Sequence, residues 1–243
     1  MQAYDTAQMA RCLGCIIREN GLCNALTIDE LSQFSRIAHR RTYQPGERIL
    51  SSEDDVGYIG AISSGVVKVT KILIDGRQQI VSLLFPPNCL GRSFGKSNPY
   101  FAEAATNVEI CSFERAGFER MLADYAGLNK RLLEQTLDEL DTARDWMILL
   151  GRKTAEEKVA SLLLMLATRS QPIEHANGSD CRPPPPADFE LHLKRDEIAD
   201  FLGLSYETVC RQITALKKSG IVRFNGTRRF GVPDLDALAE VAG

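Results

Sequence analysis

Residues 42–113 constrain the fold of this chain more than any other stretch. The runs "YIGAIS", "GVVKVTKIL" and "RQQIVSLLF" are rich in β-branched and apolar residues, the composition of short strands. Turn residues recur between them at Pro45-Gly46, Gly57, Gly65 and Pro86-Pro87. Asp75-Gly76, between two of the runs, reads as a type I′ hairpin turn. Short antiparallel strands at this spacing close into a small barrel or jelly roll. "NVEICSFE" supplies the last strand. Alternation along it sets Val108, Ile110 and Ser112 on one face and Asn107, Glu109, Cys111 and Phe113 on the other. Cys111 is thereby separated from the aliphatic face.

Helical patterns flank the strands. In "TIDELSQFSRIAH", Thr27 and Glu30 form a capping box, and Ile28, Leu31, Phe34 and Ile37 share one face. His39 then falls at the end of this helix. Residues 117–150 contain no proline and read as helix. Within them Leu133, Leu140 and Met147 recur every seven residues, as do Thr136, Ala143 and Leu150. That is the spacing of a two-helix seam, although a helix packed on its own domain would carry it too. Thr136 and Ala143 bury little surface and Asp138, Glu139 and Asp141 lie close by, so pairing along the seam is expected to be conditional. "GRKTAEEKVASLLLMLATR" is a further amphipathic helix, and "SQPIEHANGSDCRPPPPA", with His175 and Cys181, has loop composition.

Three of the seven cysteines fall within "RCLGCIIRENGLC". The start of the chain lacks the basic and apolar regions of a signal peptide, and the longest apolar run, "LLLMLA", is too short to span a membrane. A chain of 243 residues, 44% hydrophobic and 25% charged, suits two soluble domains. These features point to the cytoplasm, where structural disulfides are disfavoured and clustered cysteines serve as metal ligands or redox groups. Cys12, Cys15 and Cys23 are spaced C-x2-C-x7-C, with the turn pair Asn20-Gly21 before the third. Soft thiolates select zinc or iron–sulfur centres; buried or reactive thiols without metal are the other reading. A fourth ligand has to come from elsewhere in the chain.

The C-terminal third carries "LKRDEIADFLGLSYETVCRQITALKKSGIVRFNGTRRFGV". Ile198 and Leu202 give a first helix its apolar face, Gly203 ends it, and Ser205 caps a second whose Val209, Ile213 and Leu216 point inward. Two helices so joined have helix-turn-helix geometry, and "IVRF", Asn225-Gly226 and "TRRFGV" form a hairpin in the position of a wing. Tyr206, Glu207, Cys210, Arg211 and Thr214 face outward. Arg can pair with guanine O6/N7 and Glu can accept from cytosine N4 in a major groove; alternatively Glu207 and Arg211 form an ordinary i,i+4 ion pair. From Glu207 to Arg229 the only acid is Glu207, against Arg211, Lys217, Lys218, Arg223, Arg228 and Arg229. This local excess suits phosphate contacts despite a net charge of −3.

A β-roll, a long helix and a winged helix-turn-helix in this order resemble the CRP/FNR superfamily of bacterial regulators over nearly the whole chain, an α+β architecture. "ETVCRQ" at 207–212 is similar to its recognition-helix motif, and the N-terminal cysteines with a lone cysteine on the last roll strand are similar to its FNR branch. The resemblance implies a cytoplasmic oxygen sensor in which Cys12, Cys15, Cys23 and Cys111 ligate a [4Fe–4S] cluster that pins residues 1–26 to the roll. It further implies a homodimer on double-stranded DNA, at a palindrome with half-sites like TTGAT, in contact with RNA polymerase. Oxygen would dismantle the cluster and loosen the dimer. Glu207, Cys210 and Arg211 would read bases, with Thr208, Lys217, Lys218 and Arg228 on the backbone. The corresponding divisions are 1–26 (cysteine segment), 27–121 (β-roll), 122–151 (dimerisation helix) and 152–243 (winged helix-turn-helix).

Two positions depart from the pattern: Cys210 stands where the motif usually has Ser, and the last cysteine gap is wider than in some FNR proteins. Cys210 is a near-isostere of Ser and also an oxidisable group at the DNA face. Cys89 in "FPPNCLGR" is a competing ligand, which the resemblance ranks below Cys111. A zinc or thiol-redox site, or a small-molecule effector of the roll, would serve the same architecture. "LGRSFGKSNPYFAEAAT" lacks the paired acid and the properly placed arginine of the cyclic-nucleotide members, which argues against cyclic AMP. His39, His175 and His192 form no catalytic constellation, so no enzymatic activity is expected.

Overall fold

Two facing sheets organise the first half of the chain. The computed structural model describes residues 2–52, 57–94, 97–169, 188–226 and 228–243, which divide into compact units at Met1–Thr142 and Ala143–Gly243. His175, Cys181 and the loop expected around them lie outside the described residues.

The first unit opens with α1 (Gln2–Leu13) and α2 (Ile28–Arg36), followed by β1 (Ala38–Tyr43), β2 (Arg48–Leu50), β3 (Tyr58–Ser64), β4 (Val67–Ile72), β5 (Gln78–Leu84), β6 (Cys89–Leu90), β7 (Phe101–Ala104) and β8 (Val108–Glu114). The strands form two four-stranded sheets, ordered β1-β8-β3-β6 and β2-β7-β4-β5. Leu50, Ile62, Val67, Leu90, Ala102, Val108 and Ile110 fill one buried core. The expected alternation along β8 holds: Val108 and Ile110 belong to that core, whereas Phe113 and Cys111 join a second. There Phe113 packs on Phe34 of α2 with centroids 4.3 Å apart, and on Phe118 at 5.7 Å.

Local signals placed most elements, with four corrections. The Thr27/Glu30 capping box is present, but Ile28 is exposed while Leu31 and Phe34 are buried. The helix stops at Arg36, so His39 lies on β1 instead of ending it. At the β4–β5 turn only Gly76 has a positive φ (87°), and Leu73 and Arg77 close the loop. This is a three-residue turn with a left-handed glycine and not the expected two-residue I′ turn. The helix expected across 117–150 is broken into α3 (Arg115–Asp124) and α4 (Ala126–Arg152). Tyr125 takes an extended backbone between them, and its hydroxyl donates to Gln33 Oε1 at 2.8 Å.

The second unit holds the end of α4, then α5 (Ala155–Arg169), β9 (Asp188–Glu190), α6 (Arg195–Leu202), α7 (Tyr206–Lys218), β10 (Arg223–Asn225), β11 (Arg229–Gly231) and α8 (Leu235–Ala242). Val159, Leu162, Leu163 and Leu166 of α5 are buried, and Trp146 packs on Phe201 at 4.4 Å. Lys153 Nζ donates to the carbonyls of Ala242 and Gly243 at 2.6 and 2.7 Å, tying down the C-terminus. The wing is larger than the hairpin expected, because β9 pairs with β11 in a three-stranded sheet ordered β10-β11-β9. Among the described residues no helix is long and apolar enough to cross a membrane.

Candidate thiol site and nucleic-acid interface

The N-terminal segment is anchored by its own apolar side chains. The family resemblance implies a cluster that pins residues 1–26 to the roll; Ile17, Leu22 and Leu26 are in addition buried with Leu31, Phe34, Phe118 and Leu128 in the second core. Polar ties add to this. Gln8 Nε2 donates to the carbonyls of Ser35 (2.6 Å) and Ala38 (2.5 Å), and Arg131 Nη2 of α4 donates to the Asn20 carbonyl at 2.8 Å. Gly21 allows the tight reversal after Asn20: a side-chain carbon there would lie 2.6 Å from the Ile17 carbonyl. The Arg131 contact joins residues 111 positions apart, and no local pattern announces it.

This scaffold gathers the four expected ligands on the outer face of the β1-β8-β3-β6 sheet. Cys12 lies in the last turn of α1, Cys15 and Cys23 lie on the segment after it, and Cys111 stands on β8 opposite Arg40. All four are half-buried against the second core. Cys12, Cys15 and Cys111 line an open depression of about 1200 Å³ with Arg11, Arg36, Arg40 and Glu109 around them. Arg40 pairs with Glu109. The thiols sense one another. Burial, then the charges of Cys12 and Cys15, push Cys23 up to about 12. Burial raises Cys111, followed by Cys23, Cys12, Cys15 and Cys89, and burial followed by Cys15 raises Cys12. Such a set resists ionising together until a cation shares the charge. Among the described residues no three His, Cys, Asp or Glu side chains converge as the ligands of a single ion do. Thiolate donors of this kind suit either an iron–sulfur or a zinc centre.

In the second unit the expected reader is assembled. Gly203 caps α6 in the left-handed conformation (φ 62°), and the Ser205 side chain accepts from the Thr208 amide to start α7. Val209, Ile213 and Leu216 are buried, which turns Glu207, Arg211, Lys217 and Lys218 outward. Arg211 Nη2 donates to Thr208 Oγ1 at 3.4 Å; no Glu207–Arg211 ion pair occurs among the described residues. Cys210 is half-buried, and a hydrogen bond with it raises the Tyr206 phenol above its usual range. Arg228 is exposed on the wing. The Arg195 guanidinium lies 4.8 Å from the Phe224 ring centroid and Lys217 Nζ 5.7 Å from it, contacts that link both helices to β10 and that the sequence did not reveal.

The six seam residues on α4 are all exposed: Leu133 by 58%, Leu140 by 44%, Met147 by 72% and Leu150 by 38%, beside Thr136 and Ala143. Leu137 and Ile148 are exposed too, and heptad counting had omitted them.

A β-roll followed by a long helix and a winged helix-turn-helix defines a DNA-binding transcriptional regulator and not an enzyme. Residues 40–125 match the cyclic nucleotide-binding domain family and residues 157–241 the Crp-like helix-turn-helix domain family. A probable transcriptional activator of Rhizobium leguminosarum bv. viciae is 42% identical over 97% of this chain and 94% of its own length. The transcriptional activator protein FnrL of Cereibacter sphaeroides is 40% identical over 96% and 92%. Among solved structures, FixK2 from Bradyrhizobium japonicum superposes with a TM-score of 0.73 at 30% identity, covering 85% of this chain and 98% of that one. The chain belongs to the CRP/FNR family, in its FNR-type branch.

Proposed function

We propose that this regulator is an oxygen-responsive transcriptional activator that binds a TTGAT-type palindrome as a homodimer and carries a [4Fe–4S] cluster on Cys12, Cys15, Cys23 and Cys111. The observation that carries the reading is the gathering of three N-terminal thiols and a β8 thiol on one sheet face, where burial and then the neighbouring thiols raise Cys23 and Cys111. A cluster held there supplies an oxygen-labile redox centre. The chain's own residues do the rest. Arg131 holds the loop between Cys15 and Cys23 to α4, and Leu128 of α4 shares a core with Leu22 of that loop and with Leu26 just beyond it. A change in the cysteine segment thus reaches the helix that bears the exposed seam. Leu133, Thr136, Leu140, Ala143, Met147 and Leu150 bury that seam against a second copy. Glu207, Cys210 and Arg211 read base edges, while Thr208, Lys217, Lys218 and Arg228 neutralise phosphates.

In functional terms residues 1–26 form the ligand segment, 27–121 the roll, 122–151 the dimer helix and 152–243 the reader, and the DNA-bound dimer contacts RNA polymerase. The test is anaerobic purification, quantitation of iron, acid-labile sulfide and zinc, and visible spectra as air is admitted. About four iron and four sulfide per chain, bleaching in air and parallel loss of palindrome binding support the reading. Zinc, or no metal, removes the oxygen sensor and leaves the DNA-binding regulator with another signal. Cyclic AMP is no part of this function, and calorimetric titration with it should give no saturable heat.

A further inference from the structure

A fifth thiol shares the cysteine face. In the β8-β3-β6 part of the sheet, Cys89 stands opposite Ala61 and Ala61 opposite Cys111. Directly paired residues on antiparallel strands project from the same face, so Cys89 and Cys111 both point outward with only the Ala61 methyl between them. Strands lie about 4.8 Å apart, which separates the two Cα atoms by about 9–10 Å, beyond the reach of a disulfide. Burial raises the proton affinity of both thiols, followed for Cys89 by Glu139 and then Cys23, and for Cys111 by Cys23, so Cys23 is their shared neighbour. Cys89 packs against the same core as Cys12, Cys15, Cys23 and Cys111. Its S–H donates to Gln135 Oε1 of α4 at 3.6 Å. A carboxamide can accept from a thiol and, turned over, donate its NH2 to a thiolate, so this partner suits either state of the sulfur.

We propose that Cys89 is a reserve soft ligand of the site, taking the fourth position when Cys111 is missing or released. The inference rests on the metal-binding reading above. Coordination removes the Cys89 proton to solvent, and Gln135 then donates to the bound sulfur. Cys111, already on the open depression with Cys12 and Cys15, remains the resident ligand; Cys89 faces α4 instead. The site would hold five soft donors for four positions, the fifth in contact with the dimer helix.

The full-length chain and its Cys89→Ser, Cys111→Ser and doubly substituted variants should be loaded anaerobically with ferrous iron and sulfide, and bound iron and sulfide measured. Circular dichroism of the unloaded proteins reports folding, and Cys111→Ala provides the same background should the serine variant not fold. Cys89→Ser is expected to load as the wild type does, Cys111→Ser to keep about half or more of the iron, and the double variant to fall by roughly tenfold or more. Loss from Cys111→Ser as deep as from the double variant, with the wild type fully loaded, overturns the reserve ligand and leaves the cluster reading intact. A wild type that takes up no iron overturns the cluster reading itself, and this inference with it.

Discussion

Truncating Leu22 to alanine tests whether the cysteine segment is held by packing before any metal arrives. Leu22 is 2% exposed and sits with Ile17, Leu26, Leu31 and Leu128 in one core. The substitution removes most of a buried side chain and leaves a cavity that the surrounding α2 and α4 cannot fully close. Such changes cost about 3 kcal/mol, within a range of about 2–5. At about 1.4 kcal/mol per tenfold, that lowers the docking equilibrium of the segment by roughly a hundredfold. The effect should be local, because the roll interior is a separate core. Hydrogen exchange of reduced, metal-free protein, read by mass spectrometry, resolves it. The amide of Gly21 donates to Ile17 O at 2.7 Å and that of Leu26 to Cys23 O at 3.2 Å, so peptides covering 16–26 report docking directly. Wild type should be protected there, and Leu22→Ala should exchange about a hundredfold faster while β3, β4 and β8 stay unchanged. Free-coil exchange in metal-free wild type would refute the packing argument and return the ordering of the segment to its metal.

Arg211→Ala should cost about 1–3 kcal/mol per half-site and relax preference at one base pair, measured by fluorescence anisotropy over a set of half-site variants. Lys218→Ala should weaken all sequences evenly and reduce the salt slope by about one per copy. Leu140→Glu places a charge in the exposed stripe of α4 and should raise the dimer dissociation constant by about 3 kcal/mol or more, both copies being affected; sedimentation equilibrium reads this out. Burial holds His192 below its ordinary range, so the unfolded chain binds the proton first. The second unit should therefore lose stability as pH falls through about 6.5 and below. His192→Gln should flatten that dependence in melts followed by Trp146 fluorescence.

Much of the site was legible because its signals are local. A capping box, a glycine with left-handed backbone after α6 and a buried stripe on α7 each act within a turn or two, so Thr27, Gly203 and Val209 announced themselves in order. Alternation along β8 likewise assigned Cys111 to the outer face. The reading failed where a distant contact outweighed a local tendency. Tyr125 breaks a helix-forming stretch next to its hydrogen bond with Gln33, and β9, three residues long, exists only by pairing with β11.

By itself, then, the sequence determined the succession of roll, long helical stretch and helix-turn-helix, the faces of β8 and α7, and the soft-donor chemistry of the cysteines. Those follow from periodicity, backbone preference and side-chain type, which depend on near neighbours. Tertiary structure decided that Ile17, Leu22 and Leu26 anchor the segment, that Arg131 reaches Asn20, and that Ala61 sets Cys89 beside Cys111 on one face. Each of these depends on strand register or on surfaces that meet only after the roll has closed, and neither is written in the spacing of residues along the chain.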